Sequence, residues 1–399
     1  MFRSRFFKSF SALLLAASLT ACQMPVSNPF VQRNTLQAQS AQRQIVQADA
    51  KIYSQPVPVS VEPHRLIFSG PQNGLKPGQV LMGRSLKDQD FLRRVRQIHV
   101  SGSQTVVDTL PATLFDAFEE LDLSGSRIQA NTPPIAMQSH RFNIGGVVDV
   151  VMDLNLKPDF SDTKIRLVNE RLFVRVAPRF EMDSQIRTEF KFIGIKPVPE
   201  NPLKPVGSVS FNALRIPAWI GPVPLVFHLK PGAGLDWGHQ ADGRVIVSTD
   251  IDGQFTASVE MEAGLGENPV TKTDTAYQLN GKMLPPELRL TGSAKARLHL
   301  PTIHLDTEFA GLVGPFVQAG AYVDGHYLRR LSATPQQTTI YTLANSHLGL
   351  RIDAGITPTH LFGKDLSKEL RFKILDKQIK ELYRKESTDV IPNTPTQPQ

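Results

Sequence analysis

His299, His304 and Asp306 set two imidazoles and a carboxylate close together in the chain, and that donor set suits zinc. His299 falls on the polar side of an alternating stretch, and Pro301 bends the chain between the two histidines, which favours solvated surface residues over a metal site. Asp250-Ile251-Asp252-Gly253 offers two carboxylates on one strand face, fit for calcium with help from loops. A polar strand face with a glycine bend accounts for it equally well. Ser161-Asp162-Thr163-Lys164 has a Ser-x-x-Lys spacing, but lysine reaches serine only across a helical turn, and this stretch reads as a turn into a strand. Trp219 and Trp237 flank a proline-rich run, placed either to stack on a sugar as candidate ligand contacts or to cap a core. The ten histidines are otherwise scattered. No His-Glu-x-x-His, Cys-x-x-Cys, Gly-x-Ser-x-Gly or phosphate loop occurs. No catalytic residue, metal or cofactor is therefore expected, and no enzyme.

The one remaining reactive group is the lone thiol, Cys22. It follows a basic start (Arg3, Arg5, Lys8) and a short apolar run, Phe10 to Leu19. That run is about half of the roughly 20 residues a membrane-spanning helix needs. A charged start, a short apolar middle and small residues at its end describe a secretory signal peptide. Ser4 separates the two arginines, which points to the Sec route rather than the twin-arginine one. Leu19-Thr20-Ala21-Cys22 resembles the lipobox of bacterial lipoproteins. The resemblance implies cleavage between Ala21 and Cys22, a diacylglycerol on the Cys22 thiol and a further acyl chain such as palmitate on the new N-terminus. Two or more chains anchor a protein stably where one does so only marginally. Gln23 stands where an aspartate would favour the inner membrane, so the resemblance implies the outer membrane or the cell surface.

Length allows two domains or one large one, and a lone cysteine allows no internal disulfide. Loss of Arg3, Arg5 and Lys8 with the leader lowers the formal charge from +7 to +4, since 44 less 3 basic residues then face 37 acids. Such an excess tolerates an anionic membrane or glycan without requiring one. A position outside the cytoplasm excludes nucleic acid as a partner.

In chain order, residues 1–21 read as signal peptide and 22–55 as a flexible tether rich in Gln, Ala and Ser, with Leu36 to Ala50 able to form a weak helix. Residues 56–125 read as a small β module. It carries a Pro77-Gly78 turn, a hairpin about Ser101-Gly102-Ser103 and a short helix from Pro111 to Leu121. Gly78, Val80 and Gly83, then Phe91-Leu92-Arg93-Arg94-Val95, then Thr109, Ala112 and Leu114 (the span 75–114) are similar to a module of uncharacterised bacterial secreted and surface proteins. The similarity implies a surface setting and no known chemistry.

Residues 140–360 alternate with period two. Leu288, Leu290, Ala294, Ala296, Leu298 and Leu300 stand between polar residues, as a half-buried antiparallel strand requires. Phe180, Met182, Ile186 and Phe190 do the same, as do Val245, Val247, Ile251 and Phe255, and Leu348, Leu350 and Ile352. Proline-rich runs, Pro197 to Pro205, Pro217 to Pro224, Pro231 to Gly234, Pro285-Pro286 and Gly311 to Pro315, read as turns or sheet edges. About ten strands are expected, as an antiparallel β-sandwich or open barrel. From 364 to 386 the apolar residues Leu366, Leu370, Ile374, Leu375, Ile379 and Leu382 fall at helical spacing, predicting an amphipathic helix that docks on the sheet or lies on an anionic membrane. Residues 387–399 read as a disordered tail.

The sequence thus points to a lipid-anchored envelope or surface protein that acts as a non-enzymatic binding or structural module. Its partner would be a glycan or an envelope protein. The alternative is a periplasmic-side carrier holding a lipid or other apolar ligand between long strands and the C-terminal helix.

Overall fold

A computed structural model describes residues 43–126, 128–130, 134–192, 203–356 and 370–393. The expected signal peptide, Cys22 and the expected tether as far as residue 42 lie outside the described residues, as do 364–369 of the expected helix and 394–399 of the expected tail. The fold is mainly β, built of antiparallel sheets with a curl that amounts to a half-barrel.

The chain enters through β1 (Arg43–Val46), which belongs to the larger sheet. The next six strands form a smaller one: β2 (Ala50–Ile52), β3 (Ser60–Glu62), β4 (Arg65–Ser69), β5 (Val80–Arg84), β6 (Asp90–Ser101) and β7 (Gln104–Pro111), in the order β2-β5-β6-β7-β4-β3. Only β2 and β5 run parallel. Leu66, Phe68, Leu81, Phe91, Val95 and Val107 pack on one face. Val80, Met82 and Leu92, on the other, join the core of the larger sheet.

A single helical turn, α1 (Leu114–Ala117), follows, and Asp116 accepts a hydrogen bond from the Thr113 N–H at 2.7 Å. The expected helix was longer. Phe118 is already extended, and its strand β8 (Phe118–Asp122) leaves the module to pair with β1. Then come β9 (Gln129–Ala130), β10 (Ile135–Ile144), β11 (Val148–Asp159), β12 (Lys164–Val168), β13 (Arg171–Val176), β14 (Arg179–Phe192), β15 (Lys204–Ser210) and β16 (Leu214–Ile220). The long strands close the chain: β17 (Val223–Gly264), β18 (Val270–Met283), β19 (Glu287–Phe309), β20 (Leu312–Ala333), β21 (Gln337–Ile356) and β22 (Leu370–Pro392).

β17, with 42 residues, is the spine. On one side it pairs in turn with β16, β15, β14 and β13. On the other it pairs with β19 and then β18. Beyond β19 the ladder continues through β20 and β21 to β22. Fully extended, 42 residues would run roughly 140 Å, so the strand has to coil. Gly243 and Gly253 let it turn, at φ of 138° and 148°. A Cβ on either would lie 2.1 Å from a carbonyl oxygen of the neighbouring strand.

The alternating apolar residues all point to the inside of the curl. Phe180, Phe190, Phe255, Leu290, Ala294, Ala296, Leu298, Leu348 and Leu350 are buried, and Leu288 is partly so. They meet in one contiguous cluster. The void left among Ile186, Phe190, Val247, Leu298, Val323 and Tyr327 is about 10 Å³, room for about one water.

Several expectations are overturned. Residues 43–46 and 50–52, within the expected tether, are strands. Among the described residues, the expected β domain of 140–360 holds twelve strands, β10 to β21, against about ten, and β1, β8, β9 and β22 bring the larger sheet to sixteen. Pro231 and Pro315 lie inside strands, not at turns. The predicted amphipathic helix is a strand from 370 onward, and residues 387–392 of the predicted tail extend it. The physical reason is that β22 bulges three times against β21. Each bulge inserts one residue, and the inserted residues are Ile374, Ile379 and Leu382. Strand alternation interrupted in this way imitates a helical period.

Candidate functional site

Three ladders slip in register along one row of the larger sheet: β15 between Pro205 and Gly207, β17 between Gly232 and Gly234, and β19 between His299 and Thr302. A proline stands at or beside each slip, namely Pro205, Pro231 and Pro301. Proline lacks the N–H a regular ladder needs, so it belongs at such bulges, and bulges bend a sheet locally. Gly234 pairs with His299, and Thr302 pairs with Gly232 on one side and Gly320 on the other. The row is thus continuous from strand to strand. It forms a groove on the outer face that crosses β15, β17, β19, β20, β21 and β22 and holds about 450 Å³. Six strands at their usual spacing make it roughly 24 Å long.

Small residues line its floor, among them Gly207, Ser208, Gly234 and Gly320. A Cβ on Gly320 would lie 2.8 Å from the Pro301 carbonyl oxygen, so this part of the floor stays bare. The walls are polar. His299 Nε2 lies 3.0 Å from Asp236 Oδ2. Arg351 donates to Asp353 at 3.1 Å, and Arg371 donates to Gln318 at 2.8 Å. Asp353 and His299 are almost entirely buried, and a buried carboxylate is tolerable only when paired in this way. Beside the groove, Arg297 binds Asp324 through two hydrogen bonds of 2.7 and 3.0 Å and lies 4.2 Å over the Tyr322 ring. The Asp324 hydrogen bond strengthens the hold of Arg297 on its proton, and burial raises the Tyr322 phenol. Tyr322 itself is packed against Gly349, where a Cβ would meet its ring at 2.1 Å.

The residues singled out by sequence are dispersed. His299 belongs to the groove, but His304 lies beyond it, bonded to Asp306 at 2.8 Å and stacked on Phe316 at 5.3 Å. Asp306 also takes a 2.8 Å bond from Lys230. Burial alone would raise its carboxyl, yet His304 and Lys230 bring it down to about 2. Asp250 and Asp252 share a face of β17, beside Lys282 and Asn280 of β18. Among the described residues no three His, Cys, Asp or Glu side chains converge to hold a metal ion. Asp159 caps a turn by accepting from the Ser161 N–H at 2.8 Å and its hydroxyl at 3.0 Å, and Lys164 pairs with Asp162 at 3.0 Å. Trp237 is buried against Phe190 at 5.7 Å. Trp219 is half-buried at the joint between the two sheets, with the Arg84 guanidinium 5.0 Å over its ring. The two tryptophans do not share a site, and Cys22 lies outside the described residues.

Asp236, Gln318, Arg351, Asp353 and Arg371 went unnoticed in the sequence. The signal that locates them is the set of prolines within long alternating stretches, each followed closely by glycine or threonine: Pro205-Val206-Gly207, Pro231-Gly232-Ala233-Gly234 and Pro301-Thr302. Read as turns they mean little. As bulges in register they mark a line across the sheet. Taken together, fold and groove define a class: a curled, long-stranded β scaffold whose described residues pack into one contiguous core, with a polar trough on its outside. No family model, curated protein or solved structure matches the chain.

Proposed function

We propose that the protein is a lipid-anchored module of the cell envelope, held to the outer membrane or cell surface through Cys22, which binds a partner on the outside of its β domain without catalysing a reaction. The anchor rests on the lipobox-like Leu19-Thr20-Ala21-Cys22, and Sec export follows from it. The large sheet is read as an open barrel filled in the manner of a sandwich. The observation that carries the binding reading is the filled interior. A void of about 10 Å³ accepts no acyl chain, whereas the outer face offers a groove of about 450 Å³ within the range of small-ligand sites.

The carrier reading keeps one specific support. β18 and β22 face each other without a shared ladder, Leu382 lying where a Cβ on Gly281 would approach it within 3.0 Å. The cleft at this seam holds about 620 Å³ and shares Ile186 and Thr249 with the lining of the inner void. Loosening of β22 would open a way inward. Native mass spectrometry of residues 23–399, made without the lipid and purified without detergent, decides between them. The binding module runs at its bare mass. A stoichiometric apolar passenger, recovered by solvent extraction, would make the protein a carrier.

A further inference from the structure

We infer that the transverse groove binds a linear, uncharged oligosaccharide, a deepening that rests on the outer-face binding reading above. Shape points to an extended chain. The groove runs across six strands rather than into the sheet, so its occupant lies over the ladders, at right angles to the edges of β15 and β22 rather than alongside them. A peptide gains its affinity from pairing along an edge and from apolar pockets, and half of this lining is glycine, serine and charged side chains.

The charges argue for a neutral ligand. Asp353 faces Arg351 at 3.1 Å and Arg371 at 4.0 Å, and Asp236 faces His299 at 3.0 Å. The two carboxylates therefore offset the two guanidinium groups. An anion would have to compete with Asp353 for both arginines. A polyol does not disturb these pairs. Carboxylate oxygens keep lone pairs, and a guanidinium carries five N–H donors, so each ion pair can hold a vicinal diol by charge-assisted hydrogen bonds. The nearby rings are not open for stacking: Tyr322 lies beneath Arg297, and Phe316 lies against His304 and Arg371. A flat aromatic ligand finds no platform, while a sugar recognised by its hydroxyls needs none.

The test uses the mature lipidated protein in a detergent without a sugar headgroup, titrated calorimetrically. The probes are cellopentaose, xylopentaose, maltopentaose and chitopentaose, with oligogalacturonate and inorganic phosphate as anionic comparators. At least one neutral pentasaccharide binds saturably and more tightly than either anion. Asp236→Asn and Arg351→Gln each weaken that binding at least tenfold. Ser208→Trp, which fills the groove from an exposed position, abolishes it and leaves the melting temperature unchanged. Arg187→Gln, in the separate cleft with Arg141, Asp149 and Lys191, binds as the parent does. Tighter binding of an anion, equal binding by the groove variants, or no saturable binding of any neutral probe overturns the inference. Co-sedimentation with purified cell-wall material separates this failure from the broader one. If parent and Ser208→Trp pellet alike, the groove assignment falls and outer-face binding stands. If neither pellets, both fall.

Discussion

Arg84 and Asp90 show how much can hang on two side chains. Arg84 reaches out of the smaller sheet, binds Asp90 through hydrogen bonds of 2.6 and 3.2 Å and donates to the carbonyl oxygens of Ala218 and Leu225 in the larger one. Both residues are nearly inaccessible. Burial pushes the Asp90 carboxyl up against the pull of Arg84, the cost of keeping a charge dry. Removing one member of such a pair leaves the other uncompensated. Asp90→Asn should therefore cost about 3–5 kcal/mol of stability in urea titrations, and replacing both, Arg84→Met with Asp90→Leu, should restore most of it. A second residue governs acid behaviour. The Asp306 carboxyl is held at about 2 in the folded protein, below its ordinary value of about 3.9. Its depressed value favours the folded state at pH above about 4, and that contribution fades as pH falls toward 2. Asp306→Asn should lower stability at neutral pH and flatten the fall between pH 4 and 2, as followed by thermal melts. An acid limb identical to the parent's would show that Asp306 has no part in it.

At the scale of single elements, glycine decides how β17 bends. Gly253 sits between β14 and β18, with no room for a Cβ beside the Gln278 carbonyl. Gly253→Val should destabilise by at least about 1 kcal/mol, and amide exchange should quicken in β18 before it does in β19. The same strands show what a sequence discloses. Alternation in Leu288–Leu300 and Val245–Met261 announced antiparallel strands and their buried face, because each side of a pleat meets one environment. Gly253 was legible as a bend. β22 was not legible, since its three bulged apolar residues carry a helical rhythm in an extended chain. Nor was the groove, apart from His299, because its residues come from six separate strands and adjacency across a sheet leaves no trace in local spacing. Trp219 and Trp237, conspicuous in the sequence, were absorbed by the sheet joint and the core.

Across the whole molecule, the interior decides between scaffold and carrier. Ala294 and Ala296 are small and buried, and the void next to Ala296 is too small to accept a larger side chain. Ala296→Phe should overpack the core and cost about 1–3 kcal/mol, seen as a lower melting temperature. Unchanged stability would mean that the curl opens more readily than its packing implies. Folding should be slow for the same architectural reason. β17 pairs with strands drawn from residues 171 to 309, and such distant contacts exact a loop-closure cost before they stabilise anything.

The entry strands have a mechanical meaning. If the protein hangs from a membrane, any pull arrives through the residue before Arg43. It meets first the four-residue β1, then the three-residue β2, the parallel partner of β5. The long ladders of β17 to β22 lie behind them. Tension would strip the short strands one by one, lengthening the leash while the ladders from β15 to β22 that carry the groove stay whole. Residues 43–52 would thus act as a shock absorber, and a force spectrum of the full chain should open with small, reversible steps before one large rupture.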